Sequence, residues 1–292
     1  MNAFLDGASR AQVLLEALPY LQSFRGKTFV IKYGGSAMEQ PELVAQVLKD
    51  IVFLELVGIN PVIVHGGGKA ITERMKEKGL RATFVAGQRV TDQPSIQIVD
   101  EVLNTVINPE VVSGINALGG RAVQVAGQTV FKAHKSPPII YEGQSVDLGF
   151  VGEVEGCSVE HVSALVAVEK VPVVSPLGRD LHGQVYNVNA DIAAAELAIA
   201  LKAEKIIYLS DVNGVLRDYK DASTRIPTVS VQDAQALKDS GVISGGMIPK
   251  VDSCVKSLQR GVGKIHLIDG RIPHALLLEL FTDGGIGTEI VR

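Results

Sequence analysis

The sequence predicts an α/β fold, in which an open, mostly parallel sheet is sandwiched by helices in two lobes of one continuous three-layer domain. Apolar runs of β type alternate with segments of helical period, which is typical of βαβ units. Many of the 30 glycines stand in pairs or triplets directly after those apolar runs. With 46% apolar residues and no internal repeat or long linker, the chain favours one continuous core over independent domains.

The first part of the chain is predicted to contain two βα units and a further helix. Strand runs are short and end in glycine, whereas helical runs begin with proline or with a capping residue. In order, the predicted elements are a strand at 28–33 ended by Gly34-Gly35, a helix from Pro41 to Gly58, a strand at 61–64, a helix after Gly68, and a helix at 94–106 capped by Thr91 or Asp92.

Residues 109–160 interrupt this alternation and are predicted to form a hairpin insert. A helix through Ile115 is followed by short β-like pieces around Val123, Val130 and Phe150. From Val171 the alternation resumes with strands at 172–176, 206–210, 264–268 and 287–291, and with helices at 190–201, 249–260 and 273–281. The sequence therefore predicts an N-terminal helical extension over 1–25, an N-lobe over 26–178 and a C-lobe over 179–292.

Charge and composition exclude several classes of protein. A formal charge of -4 and a pI of about 5.9 argue against a nucleic-acid partner, because binding to a phosphate backbone requires a basic surface. The apolar runs are too short to span a membrane and the first residues lack a signal-peptide layout, so we expect a cytoplasmic protein with no membrane partner. Cys157 and Cys254 are far apart and show neither disulfide nor zinc spacing.

Two glycine clusters stand where an open α/β sheet binds its ligands. Gly34-Gly35 and the triplet from Gly66 to Gly68 each follow a strand and precede a helix. Backbone N–H groups at such positions can approach an anion that a Cβ would obstruct. Tight turns alone would explain one cluster equally well, but two clusters in consecutive units favour anion binding.

Two lysines occupy positions that packing alone does not favour. Lys32 lies inside the apolar strand FVIKY, where a buried ammonium needs a partner or a task. Lys250 follows Pro249, which is expected to open a helix, so the helix dipole opposes its charge, although a surface lysine is an equal alternative. Asp191 falls in the first turn of a predicted helix, where capping explains an acid better than the alternative of holding two lysines.

The remaining polar candidates are less specific. Arg89 follows a strand and is suited to bind a carboxylate, with a surface role as an equal alternative. His65 has no second histidine or acid at ligand spacing, so we interpret it as a hydrogen-bonded turn residue and expect no metal held by the protein. Walker loops, Gly-x-Gly-x-x-Gly fingerprints and Gly-x-Ser-x-Gly elbows are not found in the sequence, so ordinary nucleotide-binding and hydrolase motifs give no support.

Six short motifs occur in one order along the chain from about residue 26. They are Lys32-Tyr33-Gly34-Gly35, His65-Gly66-Gly67-Gly68, Gly87-Gln88-Arg89-Val90-Thr91, Asn187-Val188-Asn189-Ala190-Asp191, Ser210-Asp211-Val212 and Gly245-Gly246-Met247-Ile248-Pro249-Lys250. Each motif is weak alone, but six in order are specific. Together they resemble the amino-acid kinase superfamily and, within it, the acetylglutamate kinase branch.

This resemblance implies an ATP-dependent phosphorylation of the side-chain carboxylate of N-acetyl-L-glutamate, in the acetylated route to arginine. The N-lobe would bind the amino-acid substrate and the C-lobe the nucleotide, with Mg²⁺ carried by ATP rather than by a protein cage. By the same resemblance, the catalytic residues are Lys32, Lys250 and Asp191, the substrate-binding residues are Gly67, Gly68, Arg89 and Asn187, and the nucleotide-binding residues are Gly34, Gly35, Ser210, Asp211 and Gly214.

The N-terminal residues are similar to the helix that arginine-inhibited family members carry before their core. An apolar stripe runs from Val13 to Leu21, and Pro19 is expected to kink or end that helix near Leu18. Packing against its own subunit is the alternative. The resemblance implies arginine as feedback inhibitor, a dimer or hexamer, a P-II signalling protein as partner, and an allosteric site bordered by Tyr20, His274 and Glu279.

Two other functions remain open at this point. One is a kinase for a related amino acid or a carrier-linked carboxylate, which a panel of substrates would distinguish. The other is a non-catalytic small-molecule sensor on the same fold, against which the presence of Lys32, Asp191 and Lys250 counts.

Overall fold

A twisted central sheet carries the fold of the computed structural model, which describes residues 12 and 14–292. Within these residues the sheet has eight strands, β1 (Thr28–Tyr33), β2 (Asn60–His65), β3 (Ala122–Val125), β4 (Val171–Val174), β5 (Lys205–Ser210), β6 (Thr228–Ser230), β7 (Lys264–Asp269) and β8 (Thr288–Val291). Their order is β6–β8–β7–β5–β1–β2–β4–β3. Every neighbouring pair is parallel except β7 and β8, so the predicted open, mostly parallel sheet is confirmed.

Helices cover both faces of this sheet. They are α1 (Leu18–Phe24), α2 (Pro41–Leu56), α3 (Gly68–Glu77), α4 (Gln93–Glu101), α5 (Asn108–Ala117), α6 (Glu160–Ala167), α7 (Ala190–Leu201), α8 (Val231–Asp239), α9 (Met247–Gln259) and α10 (Ala275–Leu280). A π-helical segment, Val102–Ile107, joins α4 to α5 without a break. Among the described residues no helix is both long and apolar enough to cross a membrane.

Alternation along β1 decides which side chains face which layer. Phe29, Ile31 and Tyr33 join the apolar cluster formed with α2 to α5 and α10. Val30 joins the opposite cluster, which includes residues of α6 to α9. Because side chains of a strand alternate between faces, Lys32 points to the same side as Val30. Its ammonium is thereby directed toward the layer that contains α7 and α9.

The chain changes direction at β1, which lies in the middle of the sheet. β2, β4 and β3 are added on one side of β1, whereas β5, β7, β8 and β6 are added on the other side. In open α/β sheets a crevice forms at the carboxyl ends of the strands at such a switch point, and ligands bind there. The ends of β1, β2 and β5 are therefore the place to look for a site.

Smaller sheets extend the layers around the crevice. A four-stranded sheet contains Phe131–Lys135, Gly152–Cys157, Leu177–Arg179 and Val185–Asn187. Three two-stranded ribbons pair Phe84–Val85 with Gln88–Arg89, Ile139–Tyr141 with Gln144–Val146, and Val215–Leu216 with Arg225–Ile226.

Several element boundaries differ from the sequence expectation. The strand around Val123 is the edge strand β3 of the main sheet and is not part of the hairpin insert. The helix expected to open at Pro249 begins two residues earlier, at Met247. The helix expected from Pro273 begins only at Ala275, because His274 has a left-handed backbone with φ 56°. The sequence reading also missed α6 and α8, which are short helices with few buried residues.

At the N-terminus, residues 14–16 are helical and a turn at Ala17 separates them from α1. Pro19 lies in the first turn of α1, where its missing N–H has no intrahelical acceptor to lose. Val13, the first residue of the predicted apolar stripe, lies outside the described residues.

Candidate active site

Lys32 and Asp191 form an ion pair at the carboxyl end of β1. Asp191 lies in the first turn of α7, where the side chain of Asn189 accepts hydrogen bonds from the N–H groups of Asp191 and Ile192 at 2.8 and 3.4 Å. Lys32 Nζ lies 3.0 Å from Asp191 Oδ1. An ammonium has three N–H donors, so Lys32 can still donate to another anion.

Lys250 reaches the same carboxylate from the opposite side. It lies in the first turns of α9, and its Nζ is 3.5 Å from Asp191 Oδ2 and 5.9 Å from the centre of the Tyr208 ring. Burial alone would raise the pKa of Asp191, but the two ammonium groups outweigh it and hold that pKa below its usual range. Two cations therefore share one ionised acid, and the cluster keeps a net positive charge.

The turns after β1 and β2 lie side by side next to Lys32. A Cβ on Gly34 would lie 3.0 Å from Lys32 Nζ, and a Cβ on Gly66 would lie 3.4 Å from the Cα of Gly34. Gly66 N–H donates to the carbonyl of Tyr33 at 2.7 Å. A Cβ on Gly67 would lie 2.6 Å from the side chain of Ile107. These glycines allow backbone and ammonium to approach each other closely.

A cavity of about 700 Å³ opens beside this cluster. Apolar side chains from the π-helical segment and α5, among them Leu103, Ile107 and Val111, line one side of it. The predicted site residues that line it are Lys32, Gly35, Gly67, Gly68, Arg89, Asn187 and Asp191. The cavity thus combines cations and open backbone with an apolar wall, which suits a small organic anion.

Arg89 places a buried cation in this cavity. Its Nη2 donates to the carbonyl of Gly68 at 2.7 Å and to Thr72 Oγ1 at 2.8 Å, and its guanidinium lies 4.7 Å from the centre of the Phe84 ring. No carboxylate of the described residues lies within salt-bridge distance of it, and burial lowers its pKa. Asn187 lies nearby and donates from Nδ2 to Thr91 Oγ1 at 3.3 Å. A buried guanidinium without a carboxylate partner is suited to bind one from a ligand.

Most of the residues expected to act on the nucleotide side lie outside this cavity. Ser210, Asp211, Gly214 and Lys250 do not line the cavity, and the first three lie at or just after the carboxyl end of β5. Gly214 has φ +75° and its Cα packs against Thr288. The sequence reading missed Ser36, which contacts Asp211, because no motif marks the residue after the glycine pair.

His65 is the last residue of β2 rather than a turn residue, and its ring is hydrogen-bonded as expected. Its Nδ1 lies 2.8 Å from the carbonyl oxygen of Gly66, and burial lowers the pKa of the ring to about 4, so the ring is neutral at pH 7. In the described part of the chain, no three His, Cys, Asp or Glu side chains converge on a point that would suit a metal ion.

A second cavity, of about 550 Å³, lies between α1 and the end of the C-terminal half. Tyr20 and Glu279 both line it, and the Tyr20 hydroxyl donates to Asp283. His274 is not part of its lining and pairs instead with the buried Asp50, with Nδ1 2.7 Å from Oδ1. Two residues without a sequence signal lie here, Lys205 and His266, with Nζ and Nε2 3.0 Å apart.

Comparison with known proteins gives a consistent result. Residues 27–269 match the amino acid kinase family. An acetylglutamate kinase from Trichormus variabilis is 50% identical over 284 residues, which cover 97% of this chain and 94% of that protein.

Solved structures agree with this match. An N-acetylglutamate synthase from Neisseria gonorrhoeae, complexed with coenzyme A and N-acetyl-glutamate, has a TM-score of 0.83 at 26% identity. The alignment covers 97% of this chain but 63% of the synthase, so this chain spans less than two thirds of that protein. The same synthase complexed with coenzyme A and L-arginine has a TM-score of 0.80 at 26% identity, with 96% and 65% of the two chains covered.

Proposed function

The chain belongs to the amino acid kinase family, and from that premise we propose that it transfers the γ-phosphoryl group of ATP to the side-chain carboxylate of N-acetyl-L-glutamate. The product would be N-acetylglutamyl 5-phosphate, an intermediate of arginine biosynthesis. The observation that carries this proposal is the pair of lysines from β1 and α9 on one carboxylate, beside a cavity with a buried arginine. Relatives that are about half identical over nearly the full length support the choice of substrate.

The site suits an acceptor that needs no general base. A carboxylate is already ionised at neutral pH, so no proton has to be removed before it attacks phosphorus. Asp191 would be a poor base, since its two oxygens face Lys32 and Lys250. The difficulty is instead to bring two anions together, and the positive cluster reduces the repulsion between them.

The positions of the predicted catalytic and substrate-binding residues support the roles that we propose for them. Lys32 borders the cavity and would neutralise charge on the acceptor side, whereas Lys250 lies outside the cavity and would do so on the ATP side. Asp191 would hold the two ammonium groups in place, and amides of Gly34, Gly35, Gly67 and Gly68 would line the phosphoryl path. Arg89 would bind the α-carboxylate of the substrate, and Asn187 would contact its acetamido end.

ATP and its Mg²⁺ fit the nucleotide side of this arrangement. Lys250 and the glycine turn supply the cations and small residues that a triphosphate requires, and Gly214 lets the β5 loop turn closely past Thr288. Asp191 is flanked by two ammonium groups, and their positive charge opposes binding of a divalent cation at that carboxylate. We therefore propose that Mg²⁺ binds through ATP oxygens and water, and that it supplies charge neutralisation at the β- and γ-phosphates.

A turnover assay tests the proposal. The protein is incubated with ATP, Mg²⁺ and hydroxylamine, which traps an acyl phosphate as a hydroxamate, and N-acetyl-L-glutamate is compared with glutamate and with a carrier-linked carboxylate. Preference for N-acetyl-L-glutamate supports the proposal. Preference for another carboxylate would show that the protein is a related kinase. Absence of turnover with all three compounds would favour the alternative of a non-catalytic sensor.

We further propose that arginine inhibits the enzyme from the second cavity. Acidic side chains there, among them Glu279, Asp283 and Glu289, would attract a cationic amino acid, and a synthase of similar fold has been solved with L-arginine. Arginine is titrated against the full chain and against a version without residues 1–25. Lower sensitivity of the truncated version supports a role for the N-terminal segment, whereas identical sensitivity rejects it.

The remaining proposals concern assembly and location. We propose a homo-oligomer, either dimer or hexamer, in the cytoplasm, where ATP is available, and a P-II signalling protein as its partner. Light scattering after size exclusion distinguishes the two assemblies, and a monomer at working concentration rejects both. Co-elution with a P-II protein tests the partner.

A further inference from the structure

The glycine turn after β1 is tied to the end of β5 across the crevice. Asp211 Oδ1 accepts two hydrogen bonds from Ser36, one from its N–H at 3.0 Å and one from its hydroxyl at 2.5 Å. Gly35 has φ +69°, and a Cβ there would lie 2.9 Å from the same oxygen. The carboxylate therefore lies against the turn, and 175 residues of chain separate the two partners.

Asp211 is itself held in place from β7. Arg271 donates from Nη2 to the carbonyl of Asp211 at 3.1 Å, and it binds Asp269 through Nε and Nη2 at 2.8 and 2.7 Å. Gly270, which lies between Asp269 and Arg271, packs closely against the turn after β1, since a Cβ on it would lie 2.8 Å from the Cβ of Ala37. The backbone of the acceptor for Ser36 is thus itself hydrogen-bonded to the segment that follows β7.

The turn in question also sets the surroundings of Lys32. Gly34 is packed against the end of the Lys32 side chain, since its Cβ would lie 3.0 Å from Nζ. Gly66, from the neighbouring turn, is packed against Gly34 in the same way. A shift of the turn by a fraction of an ångström would therefore move Lys32 or the N–H groups beside it.

We propose that Ser36 and Asp211 are positioning residues, which fasten the glycine turn of one half to the nucleotide-side strand of the other and so align Lys32 with the phosphoryl group. This inference rests on the proposed kinase function. It assigns Asp211 a task different from direct binding of the nucleotide. A carboxylate placed next to a triphosphate would repel it. Asp211 Oδ1 instead accepts two hydrogen bonds from Ser36, so Asp211 would influence the site by holding the glycine turn in position.

A double-mutant cycle on kcat tests this coupling. Ser36→Ala removes the hydroxyl donor, Asp211→Ala removes the acceptor, and the double variant removes both. Each single change is expected to lower kcat about tenfold, as for the loss of a hydrogen bond to a charged group. The double variant should lose no more than Asp211→Ala alone, rather than the product of the two single effects, because Asp211→Ala already removes the hydroxyl bond that Ser36→Ala removes. KM for ATP should stay within about threefold, and Ser36→Thr, which restores the hydroxyl, should recover most of the lost kcat.

A matched control is available on the same half of the molecule. Asp221 Oδ1 accepts from Ser223 N–H and hydroxyl at 2.9 and 2.6 Å, which is the same pair of bonds within one local turn, and neither residue lines the cavity of the candidate site. Ser223→Ala should leave kcat unchanged. The thermal midpoint of each variant shows whether it folds. If Asp211→Ala does not fold, Ser36→Ala still tests the contact, because it removes only the hydroxyl donor and keeps the backbone donor.

The outcomes are distinct. Unchanged kcat in Ser36→Ala, or single effects that multiply in the double variant, overturns the inference. A rise in KM for ATP in Asp211→Ala, without an effect of Ser36→Ala, assigns Asp211 to the nucleotide instead. The double-mutant cycle compares ratios of kcat, so it can be measured with any carboxylate that the wild-type protein phosphorylates. Failure of N-acetyl-L-glutamate as the substrate therefore does not affect the test of Ser36 and Asp211.

Discussion

Replacing Asp191 by asparagine removes the charge that holds the two lysines together while keeping the shape of the side chain. Unit charges 3.0 and 3.5 Å apart attract by about 5 kcal/mol each at an effective dielectric constant of about 20. Most of this is offset by desolvation of the ions. Loss of one preorganised charge-stabilising contact in a water-poor site nevertheless costs about 2.7–4 kcal/mol, or about 10²- to 10³-fold in kcat.

We therefore expect Asp191→Asn to reduce kcat at least about 100-fold while the protein remains folded. In the variant, Lys32 and Lys250 repel each other across a neutral amide, so neither keeps its place beside the phosphoryl group. The rate is measured by hydroxamate formation at saturating ATP and N-acetyl-L-glutamate, and the fold is checked by the thermal midpoint.

Asp252 offers a control of the same chemistry. It pairs with Lys238 at 2.7 Å, but its side chain is 51% exposed. Exposed ion pairs contribute about 0–1 kcal/mol, so Asp252→Asn should leave kcat unchanged. If Asp191→Asn retained kcat within threefold of the wild-type value, the two lysines would not depend on this carboxylate, and the electrostatic argument would be refuted.

Three further outcomes are expected. Lys32→Ala and Lys250→Ala should each lower kcat by about 100-fold or more, and near-normal kcat in both would remove them from the chemistry. Arg89→Ala should raise KM for N-acetyl-L-glutamate by about 30-fold through loss of a charge-assisted hydrogen bond, and an unchanged KM would place the α-carboxylate elsewhere. Burial lowers the pKa of Lys205 from 10.5 to about 8, so the unfolded state binds more protons between these values. The contribution of Lys205 to the free energy of unfolding should therefore increase as pH rises from 8 to 10.5. In Lys205→Met this increase should be absent when the free energy of unfolding is measured by urea titration at each pH.

Residues that begin or end an element explain which elements the sequence predicts well. The strand at 28–33 and the helix at 190–201 agree with β1 and α7, because a glycine pair ends the first and a capping asparagine starts the second. The short helices α6 and α8 carry few buried residues and give no clear period. From the residues alone, Asp191 was better explained as a capping acid. The alternative, that Asp191 holds two lysines, gains its main support from the resemblance to a family.

Contacts between distant parts of the chain have no local signal. Ser36 follows a recognisable glycine pair, but its partner is 175 residues away and the turn that joins them depends on the order of strands in the sheet. His274 is predicted to border the same site as Tyr20, yet it pairs with Asp50 and does not line the second cavity. Such positions are determined by tertiary packing, which a single sequence does not reveal.

The central place of β1 has a consequence for synthesis on the ribosome. One edge of β1 pairs with β2, but its other edge stays unpaired until β5 has been synthesised, because β1 pairs there with β5 and Phe29 lies opposite Lys205. Until that later strand leaves the exit tunnel, an apolar edge in the middle of the future sheet has no partner, and unpaired edges of this kind invite aggregation. A fragment that stops before residue 205 should therefore precipitate or bind chaperones, whereas the full chain, in which β5 to β8 complete that side of the sheet, should remain dispersed.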